Sequence, residues 1–116
     1  MSLLARVLED RRDGFALAAI EGEVDASNAG EIGERLRGLL SNRDTSLVVD
    51  LSDTSYLDSA GINLLFELSS ELTARQQSLR LVLPPDSPML RMFAIVGLSD
   101  AIPTHETRAA ALAEPA

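Results

Sequence analysis

A chain of 116 residues with 46% hydrophobic content has room for one core and one domain, residues 1–116, and is too short for two. A net charge of −8, with scattered arginines and no lysine, excludes general nucleic-acid affinity, which needs clustered cations. No cysteine and a lone His105 exclude a disulfide framework and a zinc site. No apolar run nears the roughly 20 residues of a membrane span, and MSLLARVLEDRR lacks the basic-then-apolar order of a signal peptide. A soluble cytoplasmic protein with no cofactor, no metal and no membrane contact is expected, monomeric when free.

In chain order, residues 3–8 and 15–20 read as two antiparallel strands whose connection ends in the hairpin signal Asp13-Gly14. Asn28 and Glu31 read as a capping box, opening a helix in which Ile32, Leu36, Leu39 and Leu40 recur at helical spacing. Leu47, Val48 and Val49 form a buried strand, residues 52–55 a loop, and residues 62–72 a second helix. Residues 79–83 read as a strand stopped by Pro84-Pro85, Ser87-Pro88 as a helix start and Gly97 as its stop. Residues 101–105 suggest a short edge strand interrupted by Pro103, and a last helix starts at Thr107 or Arg108, with the Ala-rich end, residues 109–116, fraying after it. Strands alternating with helices after a hairpin predict an α/β sandwich on a mixed sheet.

Chemistry concentrates in the tetrad Asp58-Ser59-Ala60-Gly61, which places Ser59 at or just before the second helix. Backbone N–H groups there lack intrahelical acceptors and carry partial positive charge, so a phosphate on Ser59 would fit. The plainer reading makes Asp58 or Ser59 an N-cap, with Gly61 easing the turn. The two are compatible, since both need an exposed hydroxyl at a helix end. No neighbouring histidine activates Ser59, so a base would have to come from another protein. On the second helix Leu64, Leu65, Leu68 and Leu72 form one stripe, and Ile62 with Phe66 widens the apolar arc to roughly 200°. Either the fold covers that helix on two sides, or Ile62 and Phe66 form a docking patch.

Two enzyme readings fail on particular residues, and a dedicated nucleotide site has no motif to support it. A nucleophile elbow needs Gly where Leu57 stands, a phosphate-accepting Asp50 lacks its accompanying lysine, and neither GxxxxGK[ST] nor GxGxxG occurs.

The tetrad, within VVDLSDTSYLDSAG, together with Gly22-Glu23-Val24-Asp25 and the run from Met92 to Leu98, resembles the STAS family, specifically the bacterial anti-sigma factor antagonists. Order and spacing match over residues 3–112. The resemblance implies a central sheet of four to five strands flanked by about four helices, with an exposed loop before the second helix. It implies that Ser59 accepts a phosphate from a serine kinase of the histidine-kinase-like ATPase fold, which is also the anti-sigma factor. The unphosphorylated chain would capture that partner and release a sigma factor, and a protein phosphatase would reset the switch. Asp25, Asp58, Ser59, Gly61, Ile62 and Phe66 are the implied partner-binding set, although Asp25 also reads as a turn residue. A constitutive STAS scaffold or transport accessory subunit, with Ser59 only a cap, is the alternative. Two positions depart from the pattern: Ala60 stands where Ser or Thr is frequent, and residues 101–105 are more polar than the family's equivalent.

Overall fold

The Asp13-Gly14 hairpin forms as expected, but its strands are longer: β1 (Ala5–Arg12) and β2 (Phe15–Val24) pair antiparallel from Arg12 with Phe15 to Ala5 with Gly22. The computed structural model describes residues 4–113, so the expected strand start at Leu3 and the fraying of residues 114–116 lie outside the described part. The chain continues through α1 (Ala29–Leu39), β3 (Ser46–Asp50), β4 (Thr54–Leu57), α2 (Ser59–Ala74), β5 (Ser78–Val82), α3 (Leu90–Ile95), α4 (Leu98–Ala101), β6 (Thr104–His105) and α5 (Arg108–Ala113). The fold class is the expected α/β sandwich on a mixed sheet, with one more strand and one more helix than anticipated. The added strand is β4, at the end of a segment that reads locally as a loop; the added helix is the single turn of α4, which shortens the edge strand to two residues.

Strand β2 organises the sheet. One of its sides carries β1; the other carries β3 along residues 15–19 and β4 along residues 22–24, both parallel, with a bulge between Gly22 and Glu23. Beyond β3 follow β5 and then β6, also parallel. Ala16, Ala18 and Ile20 face the core built with α1, α2 and Phe93 of α3, while Phe15 and Leu17 face a smaller cluster closed by Ala111 of α5. Burial on both faces explains why the run from Phe15 to Ile20 is continuously apolar.

The single arginine of β5 belongs to the smaller face. Arg80 is buried, stacks its guanidinium over the Phe15 ring with 5.1 Å to the centroid, and donates to the carbonyl of Ala111 at 2.7 Å. It thereby holds α5 to the sheet. Asp50 makes the second attachment: Arg108 Nη2 donates to its Oδ2 at 2.9 Å, and the Ser52 amide donates to its Oδ1 at 2.9 Å. Burial alone would raise the Asp50 carboxyl, but the Ser52 hydroxyl and amide and the Arg108 guanidinium outweigh it and hold it below its ordinary value. Folding therefore favours the ionised form, a contribution complete at neutral pH and lost as pH falls through the carboxylate range. Asp50→Asn is expected to lower the thermal midpoint at neutral pH and to flatten the stability loss between about pH 5 and pH 3. Calorimetric melts across that range check it, and an unaltered acid profile would contradict the assignment.

Candidate functional site

Parallel pairing of Val24 with Leu57 makes the next residues of the two strands, Asp25 and Asp58, neighbours at the same end of the sheet. The backbone joins them, since Asp58 N donates to the Val24 carbonyl at 3.1 Å. From there Asp58 serves both loops at once. Its Oδ1 accepts from the amides of Ala60 at 2.8 Å and Gly61 at 3.2 Å, which is an N-cap on α2, and its Oδ2 accepts from Ala26 N at 3.2 Å in the loop before α1. Asp58, not Ser59, is the cap. Ser59 is the first residue of α2, and it is exposed.

The loop before α1 is built differently from the expected capping box. Asn28 is buried and makes no side-chain cap; its Oδ1 accepts from Asp25 N at 2.9 Å and its Nδ2 donates to the Glu23 carbonyl at 2.9 Å. The amide side chain thus pins the end of β2 instead of the start of α1. Asp25 accepts from both the hydroxyl and the amide of Ser27, and these bonds, with help from the Asn28 amide and against slight desolvation, hold its carboxyl below the ordinary value. It is ionised at neutral pH beside Asp58.

Gly61 has a packing reason. A Cβ there would stand 2.8 Å from Leu57 Cδ2 and 3.2 Å from Val24 Cγ1, so the glycine lets the first turn of α2 rest on the two strand ends. Gly33 of α1 does the same where the helices meet, 2.7 Å from Leu64 Cδ1. Ile62 and Phe66 are half-buried and pack against the main core, so the wide apolar arc of α2 is used largely inside the fold. The structure therefore brings Asp25, Asp58, Ser59 and Gly61 together and sets Ile62 and Phe66 partly inward. A charged substitution at Ile62 would test packing as much as docking.

Two shallow depressions adjoin the tetrad. One, of about 280 Å³, lies between α1 and α2 beside Ala60 and Asn63; the other, of about 200 Å³, lies beside Leu57 and includes Tyr56, Met89 and Met92. Tyr56 is half exposed and escaped the sequence reading, because the strand that presents it has only four residues. The run Thr54-Ser55-Tyr56-Leu57 has no apolar-polar alternation that would mark it in the sequence. Arg37 lines the first depression, but both its Nε and its Nη2 already donate to Glu71, at 2.8 and 2.9 Å.

The STAS domain model matches residues 7–111. The chain belongs to the STAS family. BtrV of Bordetella bronchiseptica, named a "putative anti-sigma factor antagonist", is 30% identical over 105 residues, covering 90% of this STAS chain and 89% of BtrV. The crystal structure of an anti-sigma factor antagonist from Mycobacterium paratuberculosis superposes with a TM-score of 0.82 at 23% identity, covering 93% of this chain and 91% of the other. The Bacillus cell fate determinant SpoIIAA in its phosphorylated form gives 0.64 at 20% identity, over 92% and 96%. The two structural likenesses speak for the STAS fold, which the sheet order already describes.

Because Asp58 caps the STAS helix α2, its removal has a defined cost. Asp58→Ala is expected to destabilise the domain by about 1–2 kcal/mol, through loss of the cap and of the Ala26 tether, while Asp58→Asn recovers most of it. Urea titrations at equal m-value measure this, and a neutral Asp58→Ala would show the cap to be dispensable.

Proposed function

We propose that this chain is an anti-sigma factor antagonist and that the Ser59 hydroxyl is its phosphorylation switch. The observation that carries the reading is the position of Ser59, exposed at the first residue of a 16-residue helix whose cap is held by another side chain. The hydroxyl is accessible to a kinase and is not required to hold the helix. Membership of the STAS family and the antagonist relatives support the regulatory role. The chain acts by binding, in the cytoplasm; among the described residues no helix is long and apolar enough to cross a membrane. Its partner is an anti-sigma factor that is also a serine kinase, with a protein phosphatase to reset it, and Asp25, Asp58, Ser59 and Gly61 mark the docking end, with Tyr56 added from the fold.

Incubation with the kinase-type anti-sigma factor encoded nearest to this chain and ATP, followed by peptide mapping, tests the site. Modification confined to Ser59 is expected. Modification at Ser52, Thr54 or Ser55 with Ser59 untouched would overturn the assignment.

A further inference from the structure

Among the described residues strand β1 is an open edge, paired with β2 on one side and with no strand on the other. The carbonyl of Leu4 accepts from Glu23 N at 3.0 Å, which sets the parity of the ladder: even-numbered residues turn their backbone groups to β2, and odd-numbered ones turn them outward. Two bonds agree with this, since Val7 O accepts from Arg35 Nη2 at 3.3 Å and Arg11 N donates to Asp10 Oδ1 at 2.7 Å. Side chains alternate too. Ala5 and Val7 pack into the main core and Glu9 meets Arg35 of α1, so Arg6, Leu8 and Asp10 project from the opposite face, where Leu8 is 42% exposed.

We propose that β1 is a self-complementary edge through which two copies of this chain pair antiparallel, with Leu8 facing Leu8 across a two-fold axis. Outward groups at odd positions allow only pairings whose residue numbers sum to an even value. An axis at Leu8 sets Arg6 opposite Asp10 of the second copy, twice, with Leu8 on Leu8 between them. An axis at Glu9 sets Glu9 against Glu9 and Arg6 against Arg12, like charges directly opposed. An axis at Val7 sets Arg6 against Leu8 and makes no ion pair. Axes at Asp10 or Arg11 also form ion pairs, but they set Asp10 against Asp10 or Arg11 against Arg11, so only the axis at Leu8 pairs opposite charges without opposing like ones. The side chains that now cover the edge find partners in the pair: Asp10 exchanges the Arg11 amide for Arg6 of the second copy, and Arg35 gains Glu9 of the second copy beside Val7. Side chains of the added strand also find space, because a groove of about 280 Å³ runs along β1 under Ile32 and Arg35. A free monomer, the expectation from single-core size and the hairpin-then-alternating pattern, is in this view one side of an equilibrium.

The absence of cysteine makes the test clean. Directly opposed residues in a non-hydrogen-bonded antiparallel pair have Cα atoms about 4.5 Å apart, within disulfide range. Leu8→Cys is expected to form an interchain disulfide under mild oxidation, whereas the exposed Tyr56→Cys stays largely uncoupled at the same concentration. In sedimentation velocity the wild-type chain is expected to show a concentration-dependent dimer. Arg6→Asp and Asp10→Arg should each weaken it roughly tenfold, and the double exchange should restore it. A chain that sediments as a monomer at every concentration, a Leu8→Cys yield no higher than that of Tyr56→Cys, or a double exchange that fails to restore the dimer would each overturn the proposal.

Discussion

Stoichiometric phosphorylation of Ser59 is expected to weaken binding of the anti-sigma partner at least about 100-fold while leaving the domain's own stability nearly unchanged. The helix end that would ordinarily welcome a phosphate is already occupied. Asp58 Oδ1 holds the amides of Ala60 and Gly61, and the Asp58 carbonyl accepts from Ile62 N at 3.0 Å, so the new group, with about −1.5 to −2 charges, cannot take those donors without displacing the cap. It stays in solvent beside Asp58 and the ionised Asp25. Docking would then have to strip water from three negative groups at one strand end, and like-charge juxtaposition in an interface costs several kcal/mol. A cost of about 2.7 kcal/mol is the 100-fold stated.

The same geometry separates the two common mimics. Ser59→Ala removes a hydroxyl that does not cap α2, so it should bind normally, melt normally and resist inactivation. Ser59→Asp carries less charge on a shorter arm and should lose only part of the affinity. Calorimetric titration of wild type, phosphorylated protein and both variants reads all four values. Equal affinity of phosphorylated and unphosphorylated protein, or loss of binding in Ser59→Ala, would remove the switch and leave the constitutive scaffold as the better account.

The largest effect on folding is expected at Gly22. Its φ of +110° lies where L side chains are strained, and a Cβ added there would stand 2.1 Å from the carbonyl oxygen of Leu4, a backbone atom held by its bond to Glu23 N. Relief would require β1 to move away from β2 at the bulge that also positions β4. Gly22→Ala should therefore cost on the order of 3 kcal/mol or more, enough to leave much of the chain unfolded at ambient temperature. Gly30 provides the contrast. It is exposed within α1, an added Cβ there meets nothing within 4 Å, and Gly30→Ala should stabilise by about 0.4–1 kcal/mol. Urea unfolding of both variants at matched m-value decides the matter, and a Gly22→Ala cost below about 1 kcal/mol would mean that the β1–β2 end relaxes freely.

Local rules were sufficient for the hairpin, for the buried strands β3 and β5, and for helices α1, α2 and α5, because their hydrophobic periods and stop signals agree with the final environment. They placed Ser59 at a helix start, but spacing alone reads that tetrad as a cap, and its choice as phosphate acceptor rests on the family resemblance. They were not sufficient for β4. Its residues Thr54 to Leu57 acquire strand geometry only because β2, bulged at Gly22, offers a second stretch of open edge to pair with. That pairing is what sets Asp25 beside Asp58, a juxtaposition no local rule could supply. Asn28 and Glu31 have the spacing of a capping box, yet burial of Asn28 against the end of β2 offered its amide two backbone partners of a different kind. The apolar residues of α2 likewise announced themselves as a wide arc, and only packing decided that Ile62 and Phe66 belong partly to the core. What the chain determines by itself is which residues must leave water and where the backbone can turn. Which hydrogen-bonding groups meet across 30 or more residues depends on strand pairing and burial, and those exist only once the sheet has formed.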